Sequence, residues 1–173
     1  MTATEASPDT TFPPVVADAV WAAVEQTYSA IAGEKPSRQP NETHSACPCV
    51  AGIISFLGQS PWTLSWFLTK DAAPAIAQKF TGMDIPFDSG DMGDVVGELV
   101  NVLAGEVVAQ LDRRKIPAQM SLPTVARGSP LELMPEKGYG VVQMDYTSSQ
   151  GRFWLRLAIA GKGKCTFHRM PGT

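Results

Sequence analysis

Apolar residues recur along this chain first at helical spacing and then in alternation, and the change of period sketches the fold. Val16, Val20, Ala23, Val24, Tyr28 and Ile31 mark one face of a helix from Val15 to Ile31, with Gly33 as its stop. Pro36, Pro40 and polar neighbours make Glu34 to Ser45 a loop or a short edge strand. Val50 to Leu57 and Trp62 to Leu68 flank Gly58-Gln-Ser-Pro61, and the alternation Trp62, Leu64, Trp66, Leu68 puts four large side chains on one face. A hairpin follows from that pattern. Asp71 stands where it can cap a short helix through Phe80, ended by Gly82. After the loop from Met83 to Gly90, the longest helical pattern covers about Asp91 to Arg114. Three strand candidates remain: Gln119 to Ala126, Tyr139 to Thr147 and Arg152 to Ala160.

This order predicts an α/β two-layer sandwich, a largely antiparallel sheet with helices packed on it. The first helix with its hairpin and the long helix with three strands look like two versions of one unit, although no sequence repeat joins them. Residues 1–13, rich in Thr, Pro and acids, are expected to form a flexible tail ahead of a single domain over residues 14–173. The chain has 173 residues, 44% hydrophobic and 18% charged, enough apolar material for one sizeable core. No apolar run reaches the ~20 residues of a bilayer-spanning helix, and the N-terminus lacks the features of a signal peptide. Three cysteines do not make a disulfide framework. A cytoplasmic protein without membrane contact is therefore expected.

The net charge is −3. Residues 1–112 hold 4 Lys+Arg against 14 Asp+Glu, and residues 113–173 hold 10 against 3. The acidic balance argues against nucleic acid as a partner, since phosphate neutralisation needs a concentrated basic face. The asymmetry can steer a protein partner, or the halves can compensate each other once folded.

On the long helix Val96, Leu99, Val100, Leu103, Val107 and Leu111 form the core-facing stripe. Opposite lie Asp94, Glu98, Asn101, Gly105, Ala109 and Asp112. A solvated face is the ordinary meaning of such a stripe. Here it carries Asn101 and Gly105, and Gly97 also lies inside the helix; each interior glycine costs about 1 kcal/mol relative to Ala. Rule-breaking residues of this kind cluster where function requires them. Glu98 and Asn101, three apart, emerge as neighbours. The carboxylate can pair with a partner's cation, and the amide can orient a water without titrating near neutral pH. Gly105 leaves bare backbone that a partner can approach closely, unless it packs against a neighbouring loop. His44 and His168 fall in no nucleophile motif, so self-contained acid–base catalysis is poorly supported.

The run Asp94-Val-Val-Gly-Glu98-Leu-Val-Asn101-Val-Leu-Ala-Gly105, followed by Pro123 in Ser121-Leu-Pro-Thr-Val125, resembles the signature of the CheC/CheX chemotaxis phosphatases. That signature is Asp or Ser, three residues, Glu, two residues, Asn, and a distant proline. CheC-like members carry it on two helices, whereas the first helix here offers Glu25-Gln-Thr-Tyr28, with tyrosine in place of asparagine. A single motif resembles CheX, and one active face per subunit is expected.

The resemblance implies a CheC-like fold and removal of the phosphoryl group from the aspartyl phosphate of a CheY-like receiver domain. By that likeness Glu98 binds the receiver's lysine and Asn101 holds the attacking water. Asp94 contacts the partner or settles Glu98, although acids in a first helical turn are also favoured by the helix dipole. Pro123 is architectural. The phosphatase needs no cofactor or metal of its own, Mg2+ being expected on the receiver, and it is expected to form a homodimer through sheet edges. A CheX-like module that binds a receiver or another signalling protein without hydrolysis is the alternative, and a scaffold unrelated to phosphorylation ranks below both. His44-x-x-Cys47-Pro-Cys49 and Cys165-x-x-His168 could together supply a zinc site. Cys-x-Cys is short for such a site, and reduced cysteines commonly serve as small apolar residues.

Overall fold

The computed structural model describes residues 12–42, 47–58, 60–134 and 138–159. In chain order the elements are α1 (Pro14–Ala32), β1 (Ser37–Gln39), β2 (Cys49–Leu57), β3 (Trp62–Thr69), α2 (Ala72–Thr81), α3 (Asp91–Arg113), β4 (Gln119–Met120), β5 (Thr124–Gly128), β6 (Gly140–Ser148) and β7 (Gly151–Ile159). The strands form one seven-stranded sheet in the order β1-β6-β7-β3-β2-β4, with β5 also paired to β2, and every pairing is antiparallel. The α/β sandwich expected from the pattern is the fold found.

β3 and β7 meet at the centre, from Trp62↔Ile159 to Leu68↔Phe153. Each half lends its short strand to the other: β1 lies beside β6 and β5 beside β2. The two units suspected from the element order are thus locked together by exchanged edges.

Alternation along the strands divides the sheet into two faces. Val50, Ile54, Phe56, Leu64, Trp66, Leu68, Phe153, Leu155 and Leu157 join the buried residues of the helices in the main core. On the other face Cys49, Ala51, Phe67 and Trp154 form a smaller cluster, with Cys47, Leu131 and Leu133 packed against it. Phe67 stacks on Trp154 at 4.9 Å. Phe12, the first described residue, is 3% exposed and edge-on to Trp62, just ahead of α1.

Helix ends follow the expected chemistry with one exception. Gly33 and Gly82 adopt left-handed conformations, φ 77° and 76°, and close α1 and α2 through their N–H groups. Asp71 does not cap α2. It already has helical φ and ψ, so its side chain cannot reach back to the first turn. The Thr69 hydroxyl takes that place, accepting from the Ala72 N–H at 3.3 Å. The single strand expected from Gln119 to Ala126 is instead two, β4 and β5, separated at Ser121, Leu122 and Pro123.

Candidate functional site

α3 lies directly on the sheet because β2 makes room for it. A Cβ placed on Gly52 would stand 2.7 Å from Cβ and Cγ1 of Val100 and 3.2 Å from the Val96 carbonyl oxygen, so only glycine allows this approach. Val96, Leu99, Val100, Leu103, Val107 and Leu111 are all buried, as the stripe requires. The first turn is set by Ser89, whose hydroxyl accepts from the Met92 N–H at 3.3 Å and donates to the Pro86 carbonyl at 2.8 Å. One Arg127 nitrogen donates to the carbonyls of Phe87, at 2.7 Å, and Ser89, at 2.8 Å, tying β5 to the loop that starts the helix. At the other end Lys115 takes a left-handed conformation, φ 59°, and Ile116 N–H returns to the Leu111 carbonyl at 3.0 Å, which ends the helix before Pro117.

With one side fixed on the sheet, α3 presents Asp94, Glu98 and Gly105 to solvent and Asn101 half-buried beside them. Glu98 and Asn101 therefore share the outward face. Among the described residues no side-chain hydrogen bond or ion pair engages Asp94, Glu98 or Asn101. Glu106 differs: it accepts from Gln110 at 2.9 Å and pairs with Arg113 at 3.6 Å. Asp91 and Asp112 of the same helix are likewise exposed and without such partners, so the motif carboxylates are set apart by their place beside Asn101. Gly105 does not pack against a neighbouring loop, for a Cβ there would meet nothing within 4 Å. Gly97 faces β5, where a Cβ would lie 3.6 Å from Val125 and 4.0 Å from Pro123. Pro123 is thereby placed one residue from Glu98, against the flank of the motif helix.

Residues 83–112 contain seven acids, Asp84, Asp88, Asp91, Asp94, Glu98, Glu106 and Asp112, and neither Lys nor Arg. All but Glu106 are exposed, so the outward side of α3 is acidic from its first turn up to Arg113, its last residue.

α1 has no matching face at Glu25-Gln-Thr-Tyr28. Tyr28 is 1% exposed and stacks on Phe153 at 4.8 Å, its hydroxyl 2.5 Å from Ser148 Oγ and 3.2 Å from Gln150. Glu25 is occupied by Trp21 Nε1 at 3.1 Å and by Lys35 at 3.5 Å. Where a CheC-like second motif would need an amide in solvent, this chain has a core aromatic.

Among the described residues no group of three or more His, Cys, Asp or Glu is placed to hold a metal ion. Cys49 is buried in the small apolar cluster, and burial, with a lesser push from Cys47, raises its thiol to about 11. That environment disfavours the thiolate a metal would need. His44, Cys165 and His168, the other ligands considered, lie outside the described residues.

The roles of Gly52, Arg127 and the serine and leucine between β4 and β5 were missed from the sequence alone. Only Gly52 had a local signal, a glycine inside a strand, which marks a bulge or a close approach.

Glu98 and Asn101 thus stand as neighbours on the outward face of α3, without side-chain partners among the described residues. The sheet, the long helix and that outward pair define a CheC-like sandwich bearing one motif. Residues 50–147 match the family model for the chemotaxis phosphatase CheX, and the chain belongs to that family. No curated protein matches it. Among solved structures, the chemotaxis protein CheX from Vibrio vulnificus is 19% identical with a TM-score of 0.74, over 83% of this chain and 98% of its own. A CheX from Desulfovibrio desulfuricans is 23% identical with a TM-score of 0.72, over the same shares. A chain of the CheX–CheY–BeF3–Mg2+ complex from Borrelia burgdorferi is 14% identical with a TM-score of 0.67, over 84% and 97%. At these identities the likeness is one of fold.

Proposed function

We propose that this chain accelerates hydrolysis of the aspartyl phosphate on a CheY-like receiver domain. The observation that carries it is the pairing of Glu98 and Asn101 on the outward side of α3, without partners among the described residues, on a chain of the CheX family. Phosphoryl transfer depends mainly on positioning and charge stabilisation, so a helper protein has little covalent work to do. Glu98 binds the receiver's lysine beside the phosphorylation site. Asn101 enters the pocket and holds a water in line with phosphorus. The water oxygen forms the new bond, the bond to the aspartyl oxygen breaks, and the receiver's carboxylate and inorganic phosphate are released. The receiver's acidic cluster holds the Mg2+, and this chain supplies no metal.

Asp94 stands one turn before Glu98 and adds to the field that meets the lysine. The acidic side of α3 draws in a basic docking surface. Homodimerisation belongs to the same proposal. β1 covers β6 only from Asp145 to Thr147, which leaves residues 140–144 open on that edge among the described strands.

The test is to charge a receiver with a small-molecule phosphodonor in the presence of Mg2+, add substoichiometric amounts of this protein, and follow the acyl phosphate. Decay faster than that of the receiver alone is expected. Binding without acceleration would instead identify a receiver-binding module.

A further inference from the structure

The outermost strand is interrupted beside the motif helix. Met120 pairs with Phe56 and Thr124 with Ile53, so four steps on one side oppose three on β2. The extra residue makes a β-bulge, a device that re-aims side chains and is common beside functional sites. Ser121 anchors it: its N–H donates to the Ser55 carbonyl at 2.8 Å, while its hydroxyl accepts from the Ser55 N–H at 3.1 Å and donates to the Leu122 carbonyl at 2.9 Å. On the far side Pro123 has a ring-fixed φ and rests against Gly97.

Leu122, between these two fixed residues, is 88% exposed, more than any other large apolar residue described. A single exposed leucine on a loose loop needs no explanation. This one is held outward by neighbours that are themselves pinned, next to the proline that touches the motif helix. Val102, 44% exposed, lies one turn beyond Glu98. Around the helix, Asn101 and Glu98 fall between Gly97, which faces Pro123, and Val102. The carboxylate and amide are therefore flanked by apolar side chains, Pro123 on one side and Val102 on the other.

We propose that Leu122 is a binding contact of the docking face, covered by the same receiver domain that Glu98 and Asn101 engage. The inference rests on the function proposed above. A second copy of this chain is the poorer occupant. Two such acidic faces repel, and a bulge followed by a proline denies another strand a continuous row of hydrogen bonds. A receiver seated over Glu98 and Asn101 reaches Pro123 and its neighbour without moving either. Leu122 then contributes binding that is equal in the ground and transition states and leaves the chemistry untouched.

Its test compares Leu122→Ala, Leu122→Met and Leu122→Asp with the unaltered protein. Affinity is measured by titration with a CheY receiver held in its active form by beryllium fluoride and Mg2+, and turnover with the phosphorylated receiver. Leu122→Ala is expected to raise the half-saturating receiver concentration about tenfold at unchanged kcat, and Leu122→Met to restore it to within about twofold. Wild-type affinity and turnover in both Leu122→Ala and Leu122→Asp would overturn the proposal while leaving the phosphatase intact. Loss of self-association in Leu122→Asp, with receiver affinity unchanged, would assign the residue to a second copy and overturn it too. An unaltered protein that neither binds the receiver nor hastens its dephosphorylation would overturn this inference together with the function on which it rests.

Discussion

Gly52 of β2 lies directly beneath Val100 of α3, so close that a methyl group on the glycine would reach within 2.7 Å of the valine Cβ. Glu98 and Asn101 sit on either side of Val100 in sequence, and this contact sets the height of their helix above the sheet. Gly52→Ala forces the branched Val100 side chain or the helix itself to move. A loss of about 2 kcal/mol is expected, read as a lower denaturant midpoint at unchanged slope. A midpoint equal to that of the unaltered protein would show that α3 can lift without cost.

Glu98→Ala removes the exposed carboxylate proposed to meet the receiver's lysine. The half-saturating receiver concentration is expected to rise, while thermal stability stays within about 0.5 kcal/mol, as for an exposed position without partners. Association should also slow as salt is added, because the contact sits within an acidic surface that is screened over about 10 Å at 0.1 M ionic strength. Association kinetics by stopped flow at two salt concentrations check both statements.

Gly105 separates stability from docking. Open space surrounds its missing Cβ, so Gly105→Ala should stabilise α3 by up to about 1 kcal/mol. Gly105→Leu should fold equally well yet obstruct the receiver and raise its half-saturating concentration. Melting curves and receiver titrations of the two variants, taken together, distinguish a surface that a partner approaches from one that faces only water.

Cys49 should be unreactive in the folded protein. Its thiol is pushed up to about 11 by burial against Ala51, Phe67 and Trp154, so the thiolate is scarce at pH 8 and becomes abundant only as the pH approaches that value. Site-resolved mass spectrometry after iodoacetamide treatment at pH 8 is expected to find Cys49 unmodified until denaturant is added, and half-buried Cys47 modified first.

Periodicity in the sequence was enough to locate α1, α3, the β2–β3 hairpin and the last two strands, because their buried faces repeat over many residues. It was also enough to put Glu98, Asn101 and Gly105 on one outward face, which depends only on spacing along a helix. It failed where a single hydrogen bond between distant segments decides the outcome. Thr69, and not Asp71, receives the first N–H of α2. Ser121 binds Ser55 and divides an apparently continuous strand in two. Arg127 secures the loop ahead of α3 from 38 to 40 positions away, and no local pattern announces such a partner.

The central claim is that Asn101 positions the water that cleaves the receiver's acyl phosphate. Asn101→Ala leaves Glu98, the acidic surface and the core stripe of α3 in place, so its effect falls on the chemical step. The decisive measurement is the single-turnover decay of a phosphorylated receiver saturated with either protein. A slowing of about 10²-fold by Asn101→Ala, at unchanged receiver affinity, is the expected result. Equal decay rates for the two proteins would contradict it.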